Sequence, residues 1–142
     1  MVTSIGDWLS FSAALALTLA RMPTNGCLIL TAPGNRFAQF TMVPEGLWAE
    51  VADDSALTDS YHILPDERDQ LTADGWNPPS EGGSPNWNRQ LGWPTRYPDY
   101  ETLAERVVAA LHHVLKVTQP TELSIDSWVN FSEEEIDVSA LA

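Results

Sequence analysis

Apolar residues recur along the chain with two different periods, and the points where one gives way to the other predict its elements. Trp8, Phe11, Leu15 and Leu19 stand at three- and four-residue spacing and predict a helix over residues 5–21. Leu9, Ala13, Ala16 and Ala20 widen that stripe, so the helix is expected to be buried over much of its circumference. Ser4 with Asp7 suits its N-terminal cap, and Pro23 with Asn25-Gly26 ends it. The period then shortens to two. Cys27–Ala32 is a nearly continuous apolar run, Arg36–Val43 alternates imperfectly, and Leu47–Ala52 alternates again. The turns between them, Pro33-Gly34-Asn35 and Pro44-Glu45-Gly46, are short enough to require an antiparallel meander.

An irregular link leads through Tyr61–Leu64 to a short helix that Pro65 opens and Gly75 stops. Residues 75–86 read as loop, and Trp87–Trp93 as a fourth strand or edge segment. Helical spacing returns between Asp99 and Val117. There Tyr100, Leu103, Ala104, Val107, Val108, Leu111, Val114 and Leu115 form one stripe, with Asp99 as the expected cap. Glu122–Val129 supplies a last short strand. The order α-β-β-β-α-β-α plus that strand predicts an α+β fold, an antiparallel sheet of four to five strands packed against long N- and C-terminal helices. One domain over 1–129 is expected, followed by an acidic C-terminal tail over 130–142 that is frayed or weakly helical.

Charge changes the picture of partners. Twenty acidic residues face seven basic ones, a net charge of -13. Such a field repels nucleic acid and anionic membrane surfaces, and leaves a basic partner or an uncharged one. It serves solubility equally well. The single cysteine, Cys27, permits no intrachain disulfide, sits in an apolar run and suits a reducing cytoplasm. The apolar stretch from Trp8 to Ala20 lacks the preceding basic residues of a signal peptide and is too short to cross a bilayer.

Chemistry-bearing residues are sparse. His112 and His113 are adjacent on a helix, so their side chains diverge by about a hundred degrees and do not face one metal together. Asp53-Asp54 with Asp59 lacks the spacing of a calcium loop and reads as a solvated turn. No phosphate-binding loop, nucleophile elbow or paired-cysteine motif occurs, so no catalytic residue, metal ligand or cofactor is assigned. The six tryptophans stand out instead. Trp48, Trp76, Trp87 and Trp93 fall at strand ends and in a Pro/Gly-rich loop, interleaved with Arg89, Arg96 and Tyr97. They serve either as pins for that loop or as anchors for another chain.

Phe37-Ala38-Gln39-Phe40 followed by Leu47-Trp48-Ala49-Glu50-Val51 resembles the strand pair of the TY-Chap domain proteins. So do Leu71, Gly75-Trp76 and Pro79 with the later Asn86-Trp87, and the helix Leu103–Val117 leading to Pro120 and Leu123. The group is related to the YbjN family and to the chaperones of type III secretion. The similarity spans most of residues 5–128, and the Gly-Trp…Pro…Asn-Trp segment is its most specific part. Asp74 stands where the family commonly has leucine, and the acidic tail has no counterpart motif. The resemblance implies a cytoplasmic, non-enzymatic, peptide-binding chaperone-like domain that forms a homodimer, with no catalytic residues to carry over. A protein or peptide client is therefore expected on an aromatic sheet face or edge. Phe40, Trp48, Trp76, Trp87 and Arg89 are the candidate contacts. The alternative is an acidic immunity or inhibitory protein that masks a basic partner by charge.

Overall fold

A computed structural model describes residues 1–142. Its order is α1 (Trp8–Ala20), β1 (Gly26–Ala32), β2 (Arg36–Val43), β3 (Gly46–Val51), α2 (Pro65–Ala73), β4 (Trp87–Gly92), α3 (Tyr97–Ala109) and β5 (Ser124–Val129). The strands form one antiparallel sheet in the order β4-β3-β2-β1-β5. The α+β class, the meander and the last strand stand as the sequence predicts them. The alternation of each strand divides its residues between two faces. Leu28 and Leu30 of β1, Ala38, Phe40 and Met42 of β2, and Leu47, Ala49 and Val51 of β3 are buried in one cluster. Phe11, Leu15 and Leu19 of α1 and Leu103, Ala104 and Val107 of α3 complete it. The two long helices pack together and cover this face, which gives a two-layer domain.

Helix ends differ from expectation in how they are capped. Asp7, not Ser4, caps α1, accepting from the Ser10 N–H at 2.8 Å. Arg96 occupies the cap of α3, and the Asp99 carboxylate reaches back to the Arg96 N–H at 2.9 Å, half of a capping box. Past Ala109 the helix widens into a π-helical turn over Ala110–Val114. Buried Arg36 closes that end. Its guanidinium donates to the carbonyls of Leu115 and Lys116 at 3.3 and 2.9 Å, and stacks 4.0 Å from the Tyr61 ring centroid.

The Leu71…Gly75-Trp76 motif has a clear physical meaning. Gly75 sits at φ +95°, the Trp76 N–H bonds the Leu71 carbonyl at 3.0 Å, and the Gly75 N–H bonds that of Thr72 at 3.1 Å. This is a Schellman termination of α2, whose apolar partners at the two ends, Leu71 and Trp76, are both buried. Glycine is needed there because the backbone is left-handed and Arg89 Nη1 lies 3.3 Å from where a Cβ would stand.

Two expectations about the periphery are corrected. The tail over 130–142 holds no helix and is not frayed. Ile136 and Leu141 are buried in the main cluster, the Thr3 hydroxyl donates to the Leu141 carbonyl, and the Ser4 hydroxyl to that of Ala142 at 2.6 Å. Asp53-Asp54 is no solvated turn either. Arg68 bridges both carboxylates at 3.0 and 2.8 Å, and the Asp54 carboxylate also accepts from the Ile63 N–H at 2.8 Å.

Candidate functional site

Register decides which candidate residues can meet another chain. Phe40 pairs with Ala49, and Trp87 with Val51, which turns both rings toward the helices. Phe40, Trp76 and Trp87 are core residues, each almost without exposure. This corrects the expectation that they present a docking surface. Their burial follows from sheet parity and from the Schellman turn, and they hold the domain together. The Trp87 indole donates to Asp53 at 2.9 Å, tying β4 to the Arg68 cluster. Arg89 pairs with Ala49 and leans over Trp76, 5.5 Å from the ring centroid, while donating to the Asp74 carbonyl at 3.0 Å. Its guanidinium therefore pins the loop. Desolvation, and then the nearby Arg106 charge, lower its pKa from the ordinary arginine value.

Trp48 differs from the other four. It pairs with Thr41 on one side and Gln90 on the other, so it lies on the sheet face that no helix covers. The row across that face runs Gln90, Trp48, Thr41, Cys27, Trp128, and the next runs Asn88, Glu50, Gln39, Ile29, Asp126. Trp48 is half-buried and Trp128 is 40% exposed. The outer edge of β4 adjoins this face. The Asn88 backbone is occupied there, exchanging bonds with Asn77 at 2.8 and 3.1 Å. Alternation directs the Gln90 backbone groups outward as well, beyond the reach of that bridge, while the Gly92 carbonyl accepts from the Thr95 hydroxyl at 2.9 Å. Gln90 and Gly92 are exposed, and Trp93, 52% exposed, follows directly. A short outward strand edge thus stands beside the half-buried Trp48 ring.

Glu50 sets the Trp48 ring. Only 9% exposed, its carboxylate accepts four hydrogen bonds: from Gln39 and Asn86 on Oε1 at 2.7 and 3.0 Å, and from Trp48 and Ser84 on Oε2 at 2.7 and 2.8 Å. Desolvation pushes its pKa up, and the four donors, Trp48 foremost, outweigh that and hold the carboxyl below the usual glutamate range. A folded-state pKa below the unfolded value adds stability above about pH 4.3, lost as pH falls through the lower folded value. Glu50→Gln places an amide NH2 against two of the donors and is expected to lose about 2 kcal/mol at pH 7. Urea unfolding from pH 7 to pH 3 should show a flatter acid limb for the variant. Identical limbs would mean that Glu50 contributes nothing to acid sensitivity.

Sequence reasoning missed Gln90 and Glu50. Their signal was weak, a glutamate and a glutamine on the open-face parity of two strands whose pairing was unknown. His112 donates from Nδ1 to the Val117 carbonyl at 2.9 Å, so it closes the α3 terminus, while His113 is exposed. No group of three or more His, Cys, Asp or Glu side chains is placed to hold a metal ion. No helix is long and apolar enough to cross a membrane.

No curated protein and no solved structure matches the chain. A family model does, over residues 3–129, which take in every strand, every helix and the open sheet face. The chain belongs to the TY-Chap3 family, described as T3SS (YopN, CesT) and YbjN peptide-binding chaperone 3.

Proposed function

We propose that this protein is a non-enzymatic, cytoplasmic peptide-binding chaperone that adds an extended client segment to the outer edge of β4, with client side chains resting on Trp48. The observation that carries the reading is the outward-facing Gln90 backbone beside Trp48, in a chain whose family is described as peptide-binding. Main-chain hydrogen bonds supply affinity in this mode, and alternate side chains supply selection. Of the five residues first singled out, Trp48 alone touches the client. Phe40, Trp76, Trp87 and Arg89 support the scaffold behind it. The buried, unpaired Cys27 fits a reducing compartment. A homodimer belongs to the same reading and is checked by mass in solution.

The test selects peptides from a displayed random library and measures their affinity by fluorescence anisotropy. Gln90→Pro removes one outward N–H, a change that an edge strand tolerates. It is expected to weaken binding roughly tenfold, about 1.4 kcal/mol. Trp48→Ala should do the same, with urea midpoints recorded to exclude unfolding. Unchanged affinity in both variants would remove the β4 edge as the site. Masking of a basic partner by charge would instead show a steep loss of affinity with salt, which main-chain pairing does not.

A further inference from the structure

The outer side of the helix layer carries a second feature. The sequence predicts α1 to be buried around much of its girth, yet Leu9 is 85% exposed and Ala13 is exposed too. Both line an open groove of about 490 Å³ between α1 and α3, floored also by Ala16 and Val108. Trp8 closes one end, its indole donating to the Thr118 carbonyl at 3.2 Å and its ring packed edge-on against Phe11. The facing wall carries Glu101 and Glu105 of α3, with His113 of the following π-helical turn beyond them. Both glutamates are exposed, neither forms a salt bridge, and they stand four residues apart on one helix face, where like charges oppose helix formation. No lysine or arginine lines the groove. An apolar helix face left open and a repulsive carboxylate pair beside it are both unfavourable in the isolated chain. One occupant relieves both.

We infer that the α1–α3 groove docks a cationic amphipathic helix of a partner protein, whose apolar stripe lies on Leu9, Ala13 and Val108 and whose lysine or arginine side chains reach Glu101 and Glu105. Helix-in-groove recognition lays an apolar helix face on such a floor, and opposite charge at the rim favours a cationic partner. The 13 residues of α1 extend about 20 Å, room for a partner helix of three to four turns. A second copy of this chain fits poorly, because two-fold pairing brings Glu101 and Glu105 near their own equivalents in a chain of net charge -13.

The probe is a synthetic peptide of about two heptads with leucines on one face and lysines on the other, titrated into the full chain by anisotropy and by amide chemical-shift mapping. Shift changes are expected along α1 and α3. Glu101→Lys with Glu105→Lys should weaken binding roughly tenfold or more. Glu133→Lys with Glu134→Lys, which alters net charge equally in the tail, should not. Equal weakening by the two pairs would reduce the interaction to diffuse charge and overturn the proposal. So would shifts confined to other surfaces, or no binding. A solution mass that falls with Leu9→Asp would assign the groove to a second copy and also overturn it. Trp48→Ala and Gln90→Pro should leave this affinity unchanged, so the groove and the β4 edge stand or fall separately.

Discussion

Replacing Trp87 or Phe40 with alanine is expected to remove about 3–5 kcal/mol of folding stability in each case. Such a loss is a large share of what a domain of this size possesses. The Trp87 and Phe40 rings are core, 2% and 1% exposed, so truncating either opens a cavity in the main cluster. Phe40 sits near the centre of the sheet on the helix-covered face, paired with Ala49. Loss of the Trp87 ring also removes the indole donor to Asp53 and the surface under Arg68, whose guanidinium lies 5.8 Å from the ring centroid. That leaves a largely buried carboxylate with one partner fewer, which adds to the cavity term. Urea unfolding followed by circular dichroism reads the effect. A Trp87→Ala protein that unfolds at the wild-type urea concentration but loses peptide binding would return this ring to the client surface. Trp76 is the informative contrast, because its indole N–H is buried without a partner. Truncating Trp76 therefore relieves a small penalty while opening a large cavity.

The elements were legible in the sequence because each is written in period and punctuation. β2 begins and ends where the alternation does, and α2 ends at the glycine its Schellman turn requires. What period alone leaves open is which face is covered. Phe40 and Trp48 look alike as aromatic residues in neighbouring strands, yet pairing of Thr41 with Trp48 and of Phe40 with Ala49 sends them to opposite sides of the sheet. α1 shows the same limit. Its stripe through Phe11, Leu15 and Leu19 is buried as the spacing predicts, whereas the added width at Leu9 and Ala13 stays exposed. Composition says that a residue is apolar, and only the neighbouring layers decide whether anything lies over it. Strand order was equally hidden. β5 returns beside β1 through backbone pairing, which leaves no mark on side-chain type.

The tail supplies the second large effect. Leu141→Ala is expected to destabilise the fold by about 2–3 kcal/mol, at the lower end for a fully buried leucine. Two opposing considerations fix that size. Leu141 has no solvent contact and lies in the same cluster as Leu15 and Leu123, so its loss opens the core itself. Yet the segment that carries it can peel away from the domain, so the loss is bounded by the docking free energy of residues 130–142. That docking rests on few bonds. The Thr3 and Ser4 hydroxyls hold the carbonyls of Leu141 and Ala142, Arg21 faces Asp137 at 3.6 Å in an exposed pair, and Ile136 lies against Gly26. Gly26 has no room for a side chain, since a Cβ would stand 2.9 Å from the Pro23 carbonyl oxygen and 3.2 Å from the Ile136 terminal methyl. Exposed ion pairs contribute little, so the apolar contacts of Ile136 and Leu141 carry the docking. Amide exchange separates the two routes. If the tail detaches first, Leu141→Ala accelerates exchange in residues 1–5 and 130–142 and leaves β2 and β3 protected. If Leu141 acts as an integral core residue, the central strands lose protection in step with the fall in urea midpoint.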